Sequence, residues 1–286
     1  MNGKAITPMT AAVPHLFDLS GRVAIITGGA GLLGMQHAAA IAEAGGHVVI
    51  ADRSRDTVRS AAALTEAHGI EALGVQTDVT NPGEVDRMVG TVMEKFGRLD
   101  ILINNAALTV TDGSLRADEY FAPFEQYPLD LWEEALRVNL TGAFLCCQAV
   151  GKVMVARRSG VILNIASDVG TISPDHRVYE GVIHPSTGRP FNTPIAYATT
   201  KAGLINFTRY LATYWAGHGI RVNCLSPGGV YVDHDPRFVE QVTSRIPLAR
   251  MAHADEYKGA VLFLVSDASG YMTGANLIVD GGRTAW

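Results

Sequence analysis

From about residue 22 the chain alternates short β-branched runs with longer stretches of helical periodicity. RVAIIT (22–27) leads through a helical segment ending at IAEAGG to HVVIAD (47–52), then a helix from Ser54, EALGVQTD (71–78) and another helix. The rhythm continues with LDILIN (99–104), a long helix from about Asp130, GVILNIA (160–166), a helix through Tyr197 to about Trp215, IRVNCLS (220–226), a helix after Asp255 and NLIVD (276–280). Strands joined through helices return to the same end of a sheet, so they pair in parallel with right-handed crossovers and are covered on both faces. The pattern predicts a doubly wound α/β fold with a seven-stranded parallel sheet.

The clearest single helix spans 81–96. Asn81 is placed to cap it, Pro82 suits its first turn and Glu84 is spaced as a capping-box partner. Val85, Met88, Val89, Val92, Met93 and Phe96 fall on one stripe, and Gly97 ends it. No repeat or linker divides the chain, so residues 17–286 read as one Rossmann-type catalytic domain after a flexible leader over 1–16.

Composition excludes several functions. Apolar residues make up 48% and charged residues 18%, which is globular, and no run has the ~20 consecutive apolar residues of a membrane span. A net charge of -5 with dispersed Lys and Arg argues against nucleic acid as a partner. Pro8, Pro14 and His15 interrupt any secretory apolar core, and Cys146, Cys147 and Cys224 form no CxxC or disulfide frame. Reduced, core-filling thiols in a cytoplasmic protein without a metal site are expected.

TGGAGLLG, residues 27–34, follows the first strand and opens a helix. Glycines there allow a tight turn and let backbone N–H groups approach a pyrophosphate, although a bare strand-to-helix turn has the same composition. Asp52 closes the second strand 24 residues after Gly28, where a carboxylate can accept from ribose hydroxyls and repel a 2′-phosphate. NAD is therefore favoured over NADP, with Arg53 alongside able to soften that preference by pairing with a phosphate. Asp78 and Val79, ending the third strand, are placed to border an adenine, or Asp78 caps the following turn.

These features, with NNAA at 104–107, Asn139 in VNLTGAF, Ser167 in NIASDVG, YATTK at 197–201, RVNCLSPGG at 221–229 and the ending LIVDGG, resemble the short-chain dehydrogenase/reductase family from about Phe17 to Gly282. The resemblance implies a nicotinamide-dependent oxidoreductase with the tetrad Asn139, Ser167, Tyr197 and Lys201. Tyr197 would exchange a proton with the substrate oxygen. Lys201 would favour the phenolate and hold the nicotinamide ribose, Ser167 would bond the substrate oxygen, and Asn139 would support a proton-relaying water. Cofactor contacts are implied for Gly28, Gly31, Leu33, Gly34, Asp52, Arg53, Asp78, Val79, Asn105, Ala106, Tyr197, Lys201, Pro227, Gly228 and Val230. A homotetramer is implied as well, assembled through the helices preceding and containing YxxxK. Taken singly, each tetrad residue also has a plain structural use: a strand-end hydroxyl, a satisfied helix amide, a solvated charge or helix decoration.

The chain departs from the family pattern at Leu32, where a glycine is usual, and the resulting spacing is more typical of sugar-nucleotide epimerases. Val232 stands where a threonine commonly contacts the carboxamide. Insertions near 109–128 and 173–194 leave strand carboxyl ends and are expected to roof the substrate site. Their polar residues Arg116, His176, Arg177, Tyr179, Glu180, His184 and Arg189 are candidates for a polar small-molecule substrate, or serve only loop solubility. PDHRVYEG and VDGGRTAW resemble, more loosely, the gluconate 5-dehydrogenase-like and flagellin-glycan sugar oxidoreductase subgroup. A secondary alcohol/ketone interconversion on a sugar, sugar acid or sugar derivative is the expected reaction; a nicotinamide-retaining epimerase or dehydratase, or a non-catalytic dinucleotide sensor, is the alternative.

Overall fold

The computed structural model describes residues 12–108, 116–183 and 188–286. Seven strands form one sheet in the order β3-β2-β1-β4-β5-β6-β7, every neighbouring pair parallel. They are β1 (Val23–Thr27), β2 (His47–Asp52), β3 (Ala72–Gln76), β4 (Ile101–Asn104), β5 (Gly160–Ile165), β6 (Ile220–Pro227) and β7 (Asn276–Val279). Helices α1 (Leu32–Glu43), α2 (Thr57–His68), α3 (Pro82–Phe96), α4 (Ala117–Tyr120), α5 (Leu129–Leu136), α6 (Gly142–Arg157), α7 (Ile195–Trp215), α8 (Pro236–Thr243) and α9 (Lys258–Val265) complete it. Because successive strand residues face opposite ways, Val23, Ile25 and Val49 join α3, α6 and α7 on one face through Met88, Val150 and Trp215. Ala24, Ile26 and Val48 join α1 and α9 on the other through Ile41, Val261 and Leu264.

Several boundaries differ from the sequence expectation. Val13–Phe17, partly within the expected leader, is a 3₁₀ turn. The helix expected from Ser54 starts at Thr57, because the Ser54 amide donates to Asp52 Oδ1 and the Asp56 amide to Ser54 Oγ, which spends these residues on a turn. Asn81 caps α3 as expected, accepting from the Gly83 and Glu84 amides, but Glu84 reaches the Asp78 amide and the Asn81 side chain rather than the Asn81 amide. The helix expected from Asp130 begins at Leu129 and is interrupted by a π turn over Arg137–Thr141. The run Leu129–Arg157 contains a window apolar enough on average to cross a bilayer by length and composition, although its apolar residues are not consecutive, and half of that window is buried inside the protein. The three cysteines are buried and free, with burial pushing Cys147 up to about 12 and Cys224 to about 11.

Candidate active site

At the carboxyl ends of β1 and β4 the connections diverge, since β1 leads outward to β2 while β4 leads the other way to β5. A cleft of about 690 Å³ opens there, at the switch point where doubly wound sheets bind ligands. Gly28, Gly31, Leu33 and Gly34 line one end of it. Gly28 has φ +61°, and a Cβ on it would lie 2.8 Å from Ala106 Cα; one on Gly34 would run into the Gly28 carbonyl. The cradle is therefore open only because side chains are missing. Leu32, in place of the usual glycine, opens α1 with its side chain largely exposed at the cleft, which is how the turn tolerates it.

The turn is braced from β4. Thr27 Oγ1 accepts from the Asn105 and Ala106 amides at 3.1 Å each, and Asn105 Nδ2 donates at 3.0 Å to the carbonyls of both Thr27 and Gly28. Asn105 and Ala106 line the cleft, but the Asn105 amide is spent on shaping the turn. Thr27, which the sequence reading passed over, shares that work. Its signal was a hydroxyl residue closing an otherwise apolar strand.

Asp52 accepts from the Ala30 amide at 3.1 Å and the Ser54 amide at 2.9 Å. Its remaining lone pairs face the cleft and suit adjacent ribose hydroxyls, with Arg53 exposed beside it. Asp78 and Val79 also line the cleft, and Asp78 Oδ1 accepts from the Thr80 amide, so lining and turn-capping coexist. A glycine cradle, a carboxylate acceptor at the end of β2 and a cleft of this size fit a nicotinamide dinucleotide.

Pro227 lines the cleft, and Gly228 and Val230 follow it in the chain. The Gly228 amide donates to the Val279 carbonyl and its own carbonyl accepts from the Tyr257 hydroxyl. Val230 lies opposite Ala252, where the bonds are made by its neighbours, the Tyr231 amide to the Ala252 carbonyl and the Ala252 amide to the Gly229 carbonyl.

Of the four expected catalytic positions, Tyr197 and Lys201 line the cleft and Asn139 and Ser167 do not. Tyr197 and Lys201 lie one turn apart on α7 and both line the cleft. Lys201 Nζ is 5.5 Å from the Tyr197 ring centroid and donates to the Ile165 carbonyl at 2.8 Å. Asn139 sits in the π turn, a form of helix common at functional sites. Its Oδ1 accepts from the Leu108 amide at 2.7 Å, and its Nδ2 donates to Thr200 Oγ1 at 2.9 Å, which in turn donates to the Tyr197 carbonyl. Asn139 thus ties the β4 loop to the first turns of α7. Ser167, buried after β5, donates to Asp168 Oδ1 at 2.9 Å.

Burial pushes the Tyr197 phenol above its ordinary value, and the charge of Asp168 pushes the same way. Burial also pushes Lys201 down to about 8. A hydrogen bond from Ser167 pulls the phenol the other way, and burial outweighs it.

None of the described substrate candidates lines this cleft. Arg116 is tied to Glu119 at 2.7 Å and Asp130 at 2.8 Å, and Arg177 forms a fork with Asp175 at 2.8 and 2.9 Å. Tyr179 is stacked between Phe191 and Phe238. Glu180 is exposed and offers its carbonyl to Gln241, and Arg189 is exposed. His176 lines a separate cavity of about 360 Å³ with Tyr127 and Thr193. His184 lies outside the described residues. The roof that was expected to be polar is anchored inside by aromatic packing among Tyr120, Phe121 and Phe191, since loops this long hold shape only by burying apolar surface.

Comparison with known proteins accords with this geometry. The family model described as enoyl-(acyl carrier protein) reductase matches residues 29–284. D-threitol dehydrogenase of Mycolicibacterium smegmatis is 33% identical, with 94% of this chain and 95% of the relative covered. A 3-oxoacyl-[acyl-carrier-protein] reductase of Synechocystis is 35% identical, with coverage of 92% and 97%. The crystal structure of a gluconate 5-dehydrogenase from Burkholderia cenocepacia in complex with NADP and tartrate superposes with TM-score 0.82 at 32% identity, over 96% of this chain and all of that one (100%). With a dinucleotide-shaped cleft walled by a Tyr197–Lys201 pair, and with likeness along nearly its whole length, this chain belongs to the short-chain dehydrogenase/reductase family and is an oxidoreductase acting on alcohol groups.

Proposed function

We propose that the protein interconverts a secondary alcohol and a ketone on a polyol, sugar acid or related polar substrate, with NAD preferred over NADP. The observation that carries the chemistry is the Tyr197–Lys201 pair opening onto the same cleft as the glycine cradle and Asp52. A bound nicotinamide supplies hydride transfer. Tyr197 holds the proton that the substrate oxygen gains or gives up, Lys201 anchors that end of the cleft from the Ile165 carbonyl, and Asn139 keeps α7 in register with the β4 loop. Relatives named for D-threitol and gluconate support the substrate class. The test is a continuous assay of reduced-nicotinamide absorbance with each cofactor against polyols, sugar acids and a 3-oxoacyl thioester. Turnover of the thioester alone would replace the polar-substrate reading.

The preference for NAD rests on Asp52, whose carboxylate faces the cleft and would meet a 2′-phosphate with like charge. Asp52→Ala is expected to raise the NADP/NAD ratio of kcat/KM by about tenfold or more, roughly one hydrogen-bonded charge interaction. An unchanged ratio in paired kinetics would show that Asp52 serves only the Ala30 and Ser54 amides.

A cytoplasmic homotetramer is the proposed working form. Supporting the assembly, α6 and α7 expose Phe144, Tyr210 and Tyr214, of which Tyr210 and Tyr214 stack on one another on the outer surface of α7. Light scattering is expected to give four times the 30.5 kDa chain mass, and a monomer at assay concentration would remove the idea.

A further inference from the structure

Loops leave the carboxyl ends of β4, β5 and β6 on the side of the sheet where the cleft opens, and their rings form one ladder. Tyr120 and Phe121 belong to the loop after β4, Tyr179 and Phe191 to the insertion after β5, and Tyr231, His234 and Phe238 to the segment after β6. From Tyr120 the ring centroids step to Phe121 at 5.1 Å, to Phe191 at 4.7 Å and to Tyr179 at 6.0 Å. They continue to Phe238 at 5.4 Å, to His234 at 5.3 Å and to Tyr231 at 6.1 Å. Every step is within the range at which aromatic rings attract. Tyr179 is the middle ring and lies nearly parallel to both neighbours, with interplanar angles of 19° to Phe191 and 21° to Phe238.

Polar ties run between the same insertion and α8. Arg245, just past α8, donates to Asp175 Oδ2 at 2.6 Å, Gln241 of α8 donates to the Glu180 carbonyl at 2.9 Å, and a Cβ on Gly181 would run into the Arg237 guanidinium. The other end of the ladder reaches the catalytic positions. Tyr120 Oη donates to the Leu108 carbonyl at 3.4 Å, and the Leu108 amide donates to Asn139. Pro227, which lines the cleft, ends β6 and leads into the segment that carries Phe238.

A ring that spends both faces on its neighbours has none left for a substrate, and the Tyr179 hydroxyl has no hydrogen-bond partner among the described residues. We propose that Tyr179 and Arg245 are positioning residues that join the loops after β4, β5 and β6 into one roof, assembled before any ligand arrives, so that the place of α8 beside the substrate space is fixed in the protein alone. The consequence for substrate binding rests on the oxidoreductase reading above; the assembly of the roof does not.

The first test is hydrogen–deuterium exchange of the full chain, read by mass spectrometry over residues 176–182 and 236–245, without ligand and with NADH plus glycerol. Ligand is expected to change exchange in both segments by less than about threefold; a larger gain of protection would show a roof that assembles on binding and overturn the proposal. Tyr179→Ala is expected to speed exchange in both segments together by about tenfold, through the loss of two ring pairs, and Tyr179→Phe to leave it unchanged. Arg245→Ala should speed both by about 2–5-fold and Arg245→Lys by less. Arg177→Ala should leave α8 as it is, because Arg177 meets Asp175 from within the insertion. Loosening of one segment alone in either alanine variant overturns the single roof, and Arg245→Ala decides the matter if Tyr179→Ala does not fold.

The second readout is steady-state kinetics with glycerol or gluconate. Tyr179→Ala is expected to raise KM about 3–10-fold with kcat within about twofold, because a loosened roof lowers the binding-competent fraction and leaves Tyr197 and Lys201 in place. Tyr179→Phe is expected to keep the wild-type KM. A raised KM in Tyr179→Phe would assign the phenol to the substrate and overturn the supporting role, as would a loss of kcat at unchanged KM in Tyr179→Ala. If the wild type turns over neither compound while the exchange pattern holds, the polar-substrate reading fails and the roof stands; if the compounds turn over while the exchange pattern fails, the reverse is true.

Discussion

Tyr197→Phe is expected to lower kcat by roughly 10²–10⁴-fold while leaving NADH affinity within about twofold of wild type. The substitution removes one hydroxyl from a ring on the cleft wall and leaves Gly28, Asp52 and Lys201, which would hold the cofactor, untouched. The neighbouring polar groups are already engaged: the Asn139 amide by Leu108 and Thr200, the Ser167 hydroxyl by Asp168 and the Lys201 ammonium by the Ile165 carbonyl. Stopped-flow turnover and NADH fluorescence titration on the same preparation check both halves. Near-normal kcat with a verified substrate would assign the proton transfer elsewhere.

The second large effect concerns stability in acid. His37, in α1, is fully buried, and neither ring nitrogen has a hydrogen-bond partner among the described residues; burial pushes it down to about 4 from an ordinary 6.5. The unfolded chain therefore binds a proton between pH 6.5 and 4 that the folded chain refuses. Stability contributed by the neutral imidazole is fully present above about pH 6.5 and is lost as pH falls toward about 4. The loss amounts to ~3 kcal/mol at most, taking 1.36 kcal/mol per pKa unit. His37→Leu is expected to flatten that part of the profile and raise the urea midpoint at acid pH, because an apolar side chain of similar bulk replaces an unpartnered polar one. Urea melts of both proteins from pH 7.5 down to about 4.5 decide it. Parallel profiles would mean that the imidazole charges without penalty, through a water or a local opening at α1.

Much of the fold was legible because its signals are local. HVVIAD reads as a strand ending at Asp52, and Asn81 through Gly97 reads as a capped helix, since strand alternation, an N-cap and a left-handed C-cap act within a few residues. The glycine cradle was legible for the same reason, because a turn that admits a pyrophosphate excludes side chains at fixed spacing from one strand. Tyr197 and Lys201 share a helix face whatever surrounds them.

Less legible were the partners that each group meets. Gly228 is bonded to Val279 and Tyr257, far along the chain. The inserted arginines carry charges that suit a polar substrate, and Arg116 and Arg177 pair with Glu119 and Asp175, which lie close by in sequence. The π turn that holds Asn139 depends on contacts to Leu108 and Thr200.

By itself, the sequence determined the seven strands and their parallel direction, the glycine turn at Gly28 to Gly34, the carboxylate closing β2 at Asp52 and the spacing of Tyr197 and Lys201. Only the tertiary structure decided that Arg283 reaches Asp168 across 115 residues, that Ser167 bonds Asp168, and that burial pushes the Tyr197 phenol up. Hydrogen-bond direction and desolvation depend on what packs around a group, and packing is settled only when distant segments meet.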